Sequence, residues 1–169
     1  SHSVVSCTES TAHHVIINKA LVRIEQARRR ARVEGYIEGS GYDASNDSKN
    51  CYLKYVCLTL ARQTNKVQLS LVWNTEPTGS INGEAKLAKF VSELFSEGVA
   101  QDQTKDKLPE SSDLFHSVWV NYNPSSRYNN AITGRGEDAW RLLFGERYAR
   151  EVVATNMANP PQLMFPPFV

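Results

Sequence analysis

The chain has 169 residues, 41% hydrophobic and 22% charged, with 19 basic and 18 acidic side chains for a formal net charge of +1. That length supports one domain with a real hydrophobic core, so residues 1–169 are expected to form a single domain. The near-neutral balance excludes a global basic field, so any nucleic-acid surface must be local. No apolar run approaches the length of a membrane span, and no membrane partner is expected. The opening "SHSVV" lacks the layout of a signal peptide.

The first predicted element is a helix within "TESTAHHVIINKALVRIEQARRRAR", where Ile17, Leu21 and Ile24 recur at helical spacing beside Ala20, Ala27 and Ala31. Thr8, Ser10 and Thr11 are candidate caps. The helix closes on Arg28, Arg29, Arg30 and Arg32, where cations complement the helix dipole; the competing reading is a local basic patch. His13 and His14 are adjacent, so on a helix they point about 100° apart and do not readily share a metal ion. They read as helix-start residues.

"VEGYIEGSGYDASNDSKN" reads as a short strand at best, then a surface loop. Two strands follow, in "CYLKYVCLTLAR" and "KVQLSLVWN", joined by "QTNK" as in a hairpin. Val67, Leu69, Leu71 and Trp73 alternate with Gln68, Ser70 and Asn74, the pattern of a sheet with one buried face. Three cysteines, Cys7, Cys51 and Cys57, lack C-x-x-C spacing and argue for a reducing compartment. Cys51 and Cys57 are six apart, which places them on one strand face, and both are expected in the core.

A second helix is predicted from about Gly83 to Phe95, with Leu87, Phe90, Val91, Leu94 and Phe95 as its apolar stripe and Gly98 placed to help end it. After the polar connector "QDQTKDKLPESSD", Phe115 to Tyr122 reads as a strand, with Trp119 in the core. "NPSSRYNN" turns the chain, and "NAITG", "AWRLLFG" and "RYAREVV" read as three more short strands. The tail "NPPQLMFPPFV" holds four of the seven prolines. The order predicts an α+β fold, an antiparallel β-sheet with two main helices packed on one face. No nucleotide-binding glycine motif, G-x-S-x-G motif or acid pair nominates a catalytic centre, and His116 has no evident Ser or Cys partner in the local sequence.

Several segments, in order, resemble the central domain of the RNA (uracil-5-)-methyltransferase family, SAM-dependent enzymes that form 5-methyluridine in tRNA and rRNA. "C…HHVIINKAL" is similar to the start of that domain's first helix, and "VQLSLVWNT" to the following sheet strand. "HSVWVNYNPSSRYNNAITG" resembles the family's hairpin with its N-N-x-I-x-G end, and "LLFGERYARE" the L-x-G-x-x-x-x-x-E continuation. The plant and algal branch is the nearest in flavour.

In the family, a strand with Pro-x-x-F leads into F-x-Q-x-N, whose Gln helps to bind S-adenosylmethionine. A catalytic α/β domain with a nucleophilic Cys and a general-base Glu follows. Here "LMFPPFV" reaches Val169 where that motif would begin. The resemblance therefore implies that the cofactor pocket and the nucleophile lie outside these residues. The 169 residues are expected to be inactive alone, with S-adenosylmethionine as a cofactor of the parent protein and the parent's own downstream methyltransferase domain as a partner.

The chemistry implied is thiolate addition to C6 of uracil, methyl transfer to C5, then removal of the C5 proton by a base. None of Cys7, Cys51 and Cys57 lies in the matching motif. Some members hold a [4Fe–4S] cluster whose last ligand Cys7 could match, but Pro does not follow it and three upstream ligands would be needed. A cluster in these residues is not expected; one in the parent is left open.

Non-catalytic domains of such enzymes grip folded RNA, whose unstacked bases sit on aromatic or guanidinium planes. Structured RNA, tRNA or rRNA, is thus the expected partner. The contact candidates, chosen on chemistry, are Arg28, Arg29, Arg30, Arg32, Tyr122, Arg127, Tyr128, Asn129 and Arg135. The cytoplasm or an organelle such as the plastid fits the cysteine usage. The alternative is a stand-alone RNA-binding or protein-interaction module without methyltransferase activity.

Overall fold

The computed structural model describes residues 14–36, 51–77, 80–96, 111–124, 136–152 and 162–165. The elements run α1 (Val15–Ala31), β1 (Leu53–Ala61), β2 (Lys66–Trp73), α2 (Ile81–Phe95), a single-turn α3 (Ser111–Leu114) and β3 (Phe115–Tyr122). A 3-10 turn (Glu137–Ala139), β4 (Trp140–Gly145), β5 (Ala149–Val152) and β6 (Gln162–Phe165) complete them. Helices on a mostly antiparallel sheet make this an α+β fold. Strands β1-β2-β3-β4 form one sheet in that order, and β5 pairs with β6 in a second, two-stranded one.

The β1–β2 and β3–β4 ladders are antiparallel, whereas β2 and β3 run parallel. The described sheet is mostly antiparallel, as expected, with β2–β3 as its parallel pair. A parallel pair needs a crossover, and the chain between β2 and β3 contains α2, which carries it back to the starting end.

Helix α1 starts later than the cap candidates suggest: its N-cap is His14, which the sequence reads as a helix-start residue but not as the cap, with Nδ1 accepting from the Ile16 amide at 3.3 Å. The cap candidates Thr8, Ser10 and Thr11 lie outside the described residues, as do His13, Cys7, Gly98 and the "NAITG" segment. The buried stripe of α1 is Ala20, Ile24, Ala27 and Ala31, mostly small residues that let α2 approach closely. From α2, Leu87, Phe90 and Leu94 are fully buried and Val91 and Phe95 partly so, as the 3.6-residue period requires. These side chains pack on Val67, Leu69, Leu71 and Trp73 of β2 and on Val118, Val120 and Tyr122 of β3. Each fully buried apolar side chain contributes about 1.5–3 kcal/mol of transfer free energy.

The other sheet face departs from its pattern. Gln68, Ser70 and Asn74 were expected outside, yet they are 3%, 2% and 4% exposed. Their neighbours on β3, Ser117, Trp119 and Asn121, are buried as well, so Trp119 lies inside as expected. The alternation separates the two faces correctly but does not show that β2 and β3, as central strands, are covered on both. Strand β5 follows β4 at one sheet edge yet contacts β1 at the other, so the chain crosses the sheet there. Edge strand β1 is less covered, and Cys51 and Cys57 are half-buried rather than core residues. Burial pushes the Cys57 thiol up.

Among the described residues, no helix is long and apolar enough to cross a membrane.

Candidate nucleic-acid interface

Four of the nine candidate contacts share one end of α1. Arg28, Arg29 and Arg30 occupy its last turn, and Arg32 is its C-cap. Their chemistry divides them. Glu25, one to two turns earlier on the same helix, is 8% exposed and accepts from Arg28 Nε at 2.8 Å, Arg28 Nη2 at 3.0 Å and Arg29 Nε at 2.7 Å. The hydrogen bond from Arg28 is the main cause that holds the Glu25 carboxyl below the usual carboxylate range. Arg28 also donates from Nη1 to Val33 O at 3.0 Å and lies 3.8 Å from Glu34. Its guanidinium is thereby engaged through Nε, Nη1 and Nη2, and its pKa is raised, first by the Glu25 hydrogen bond. Arg30 and Arg32 are exposed.

Lys86 reaches the same place from α2, donating to Ala31 O at 3.5 Å and Arg32 O at 3.3 Å. In the opposite direction Arg23, only 7% exposed, leaves α1 to donate from Nε to Leu94 O at 3.0 Å and from Nη2 to Ser96 O at 2.5 Å. The two helices therefore lie antiparallel, and each supplies a cation for the other's terminal carbonyls, which lack partners within their own helix. Burial depresses the Arg23 pKa, with the Arg30 charge adding to the effect.

Tyr122 is placed differently. It is 3% exposed, its hydroxyl donates to Glu84 Oε1 at 2.6 Å, and Arg141 from β4 donates to Glu84 Oε2 at 2.7 Å. The Arg141 guanidinium also lies 5.2 Å from the Tyr122 ring centroid. Burial, then the Glu84 hydrogen bond, raises the phenol pKa. In this geometry the ring ties β3 to α2 and β4 and offers no open face to a base. Arg127, Tyr128, Asn129 and Arg135 lie outside the described residues.

Near the start of that turn, sequence reading missed Lys54. It occupies the irregular register between Leu53 and Tyr55, where β1 bulges against β2. Its Nζ donates to Asn123 O at 2.6 Å and lies 5.0 Å from the Tyr36 ring centroid. Burial lowers its pKa to about 8. No local signal marks this lysine, because its partners are 18 residues before it and 69 after it. Lys86 and Arg23 escaped notice for the same reason.

The chain is thus an α+β protein with a cationic helix end beside the N-terminal half of a second helix. No protein-family model matches it. Over 151 residues, 89% of the chain, it is 28% identical to the uncharacterized RNA methyltransferase pc1998 of Protochlamydia amoebophila (strain UWE25). That similarity supports a methyltransferase relationship. The chain spans 33% of the relative's length.

Proposed function

We propose that the chain is the central, RNA-contacting part of a SAM-dependent RNA (uracil-5-)-methyltransferase, non-catalytic by itself. The observation that carries this is the similarity to an RNA methyltransferase over 89% of the chain but only 33% of the relative. The ordered run from "HHVIINKAL" to "LLFGERYARE" supplies the uracil-5 assignment. On this reading the S-adenosylmethionine pocket, the nucleophilic thiol and the general base belong to other parts of the parent protein. These residues would hold tRNA or rRNA while the target uridine leaves its stack.

Deleting the parent gene and measuring nucleosides from host tRNA and rRNA by mass spectrometry tests the reading. The expected result is loss of 5-methyluridine from one RNA class, restored by the intact gene but not by the gene lacking codons 14–165. An unchanged 5-methyluridine content would overturn it, and loss of a different methylated nucleoside would redirect it to another RNA methyltransferase.

A further inference from the structure

The basic end of α1 admits a plain explanation, that its cations serve the helix dipole. The structure gives that task to other groups. Lys86 covers the carbonyls of Ala31 and Arg32, and Arg28 covers that of Val33. Glu25, the buried acid within reach, is engaged by Arg28 and Arg29, and the exposed Glu34 lies 3.8 Å from Arg28. Arg30 and Arg32 are exposed, and among the described residues their guanidinium groups make no hydrogen bond or ion pair.

Backbone conformation singles out Arg32 further. Its φ of 54° and ψ of 48° are left-handed, and its amide closes the helix onto Arg28 O and Arg29 O. Glycine adopts this conformation without steric cost and is the usual residue at helix ends of this kind. At the other positive-φ position among the described residues that is not glycine, in the β1–β2 turn, stands Asn65, a type that tolerates it. An arginine at position 32 carries strain that a glycine would remove. Strain kept at an exposed cation is more readily accounted for by a ligand than by the fold.

We infer that Arg30 and Arg32 form a phosphate-contacting surface for the backbone of structured RNA, while Arg28 and Arg29 serve the helix. The inference rests on the RNA-contacting role proposed above and names the two side chains that carry it. A guanidinium without an internal carboxylate can pair with a phosphate and release a condensed counterion; one already bound to Glu25 must first give up that bond.

The test is a titration of the 169-residue chain with mixed tRNA across about 50–200 mM salt, read as the slope of log K against log salt. Arg30→Gln and Arg32→Gly should each reduce the slope by about one. Arg32→Gly should at the same time raise the thermal midpoint by about 1–4 °C, since it relieves the left-handed strain. Arg32→Lys should keep the slope. Arg62→Gln, an exposed site in the turn that ends β1, opposite the Gly35–Leu53 bridge at its start, should leave it unchanged. Arg28→Gln should lower the midpoint. Should wild type bind but Arg30→Gln and Arg32→Gly keep its slope, or Arg62→Gln lower it equally, the surface is misplaced and the RNA-contacting role stands. If wild type shows no salt-dependent affinity for tRNA, both fall.

Discussion

Glu25 holds two guanidinium groups on the same helix, with a side chain only 11% exposed. Its replacement is consequently not a neutral surface change. Glu25→Gln keeps the shape but leaves Arg28 only the more distant, exposed Glu34 as a countercharge, and should cost about 1–3 kcal/mol in urea unfolding at neutral pH. The loss should shrink as the pH falls below the ordinary carboxylate value of 4.5, where wild type also protonates.

Gly145 is another residue whose identity the fold dictates. Its φ is 83°, and a Cβ there would lie 2.0 Å from His116 O, where β4 ends beside β3. Gly145→Ala should destabilise by about 2–4 kcal/mol, since both the conformation and the contact oppose it. A thermal midpoint within a degree of wild type would contradict this. At this scale the four arginines at the end of α1 were legible in the sequence, but not their division. Helical spacing places Glu25 three and four residues before Arg28 and Arg29, yet Glu34 and the Val33 carbonyl reach Arg28 only through the turn after the helix.

The elements themselves followed their patterns closely. The apolar stripe of α2 and the β-formers of β2 and β3 produced a helix and strands within two residues of expectation. What joins the helices was hidden, because Arg23 meets Leu94 and Ser96 across a separation of more than 70 residues. Arg23→Met should fill the same space while leaving the Leu94 and Ser96 carbonyls without that donor. The expected cost is about 1–3 kcal/mol, accompanied by faster amide exchange in the last turn of α2 than in its first. Uniform loss of protection along α2 would mean that Arg23 acts through general packing instead. The parallel β2–β3 pair was missed for a related reason: strand patterns carry no direction, and the crossover is decided by which face α2 must cover.

For the whole molecule, the titrating groups set the pH range of stability. The folded pKa of Lys54 lies near 8, below its ordinary 10.5. Between these values the unfolded chain binds more protons, so this group makes stability rise with pH from about 8 to about 10.5. Tyr122 works against it further up. Its folded pKa is raised above the ordinary 10.0, so the stability it contributes is present below 10.0 and is lost as the unfolded phenol ionises. Lys54→Met should remove the first effect: the stability of wild type relative to the variant should increase between pH 7.5 and 10 in urea titrations. A constant difference would show that Lys54 titrates alike in both states.

Sequence alone determined the α+β class, the two helices, the central strands and the clustering of cations at the end of α1, because these depend on periodicity and on neighbours along the chain. It also supplied the ordered motifs on which the uracil-5 proposal rests. Only the tertiary structure decided that the sheet is covered on both faces, that Tyr122 is turned inward onto Glu84, and that Arg23 and Lys86 cap opposite helices. Those outcomes depend on groups tens of residues apart competing for the same carbonyls and carboxylates. That competition leaves Arg30 and Arg32 facing solvent.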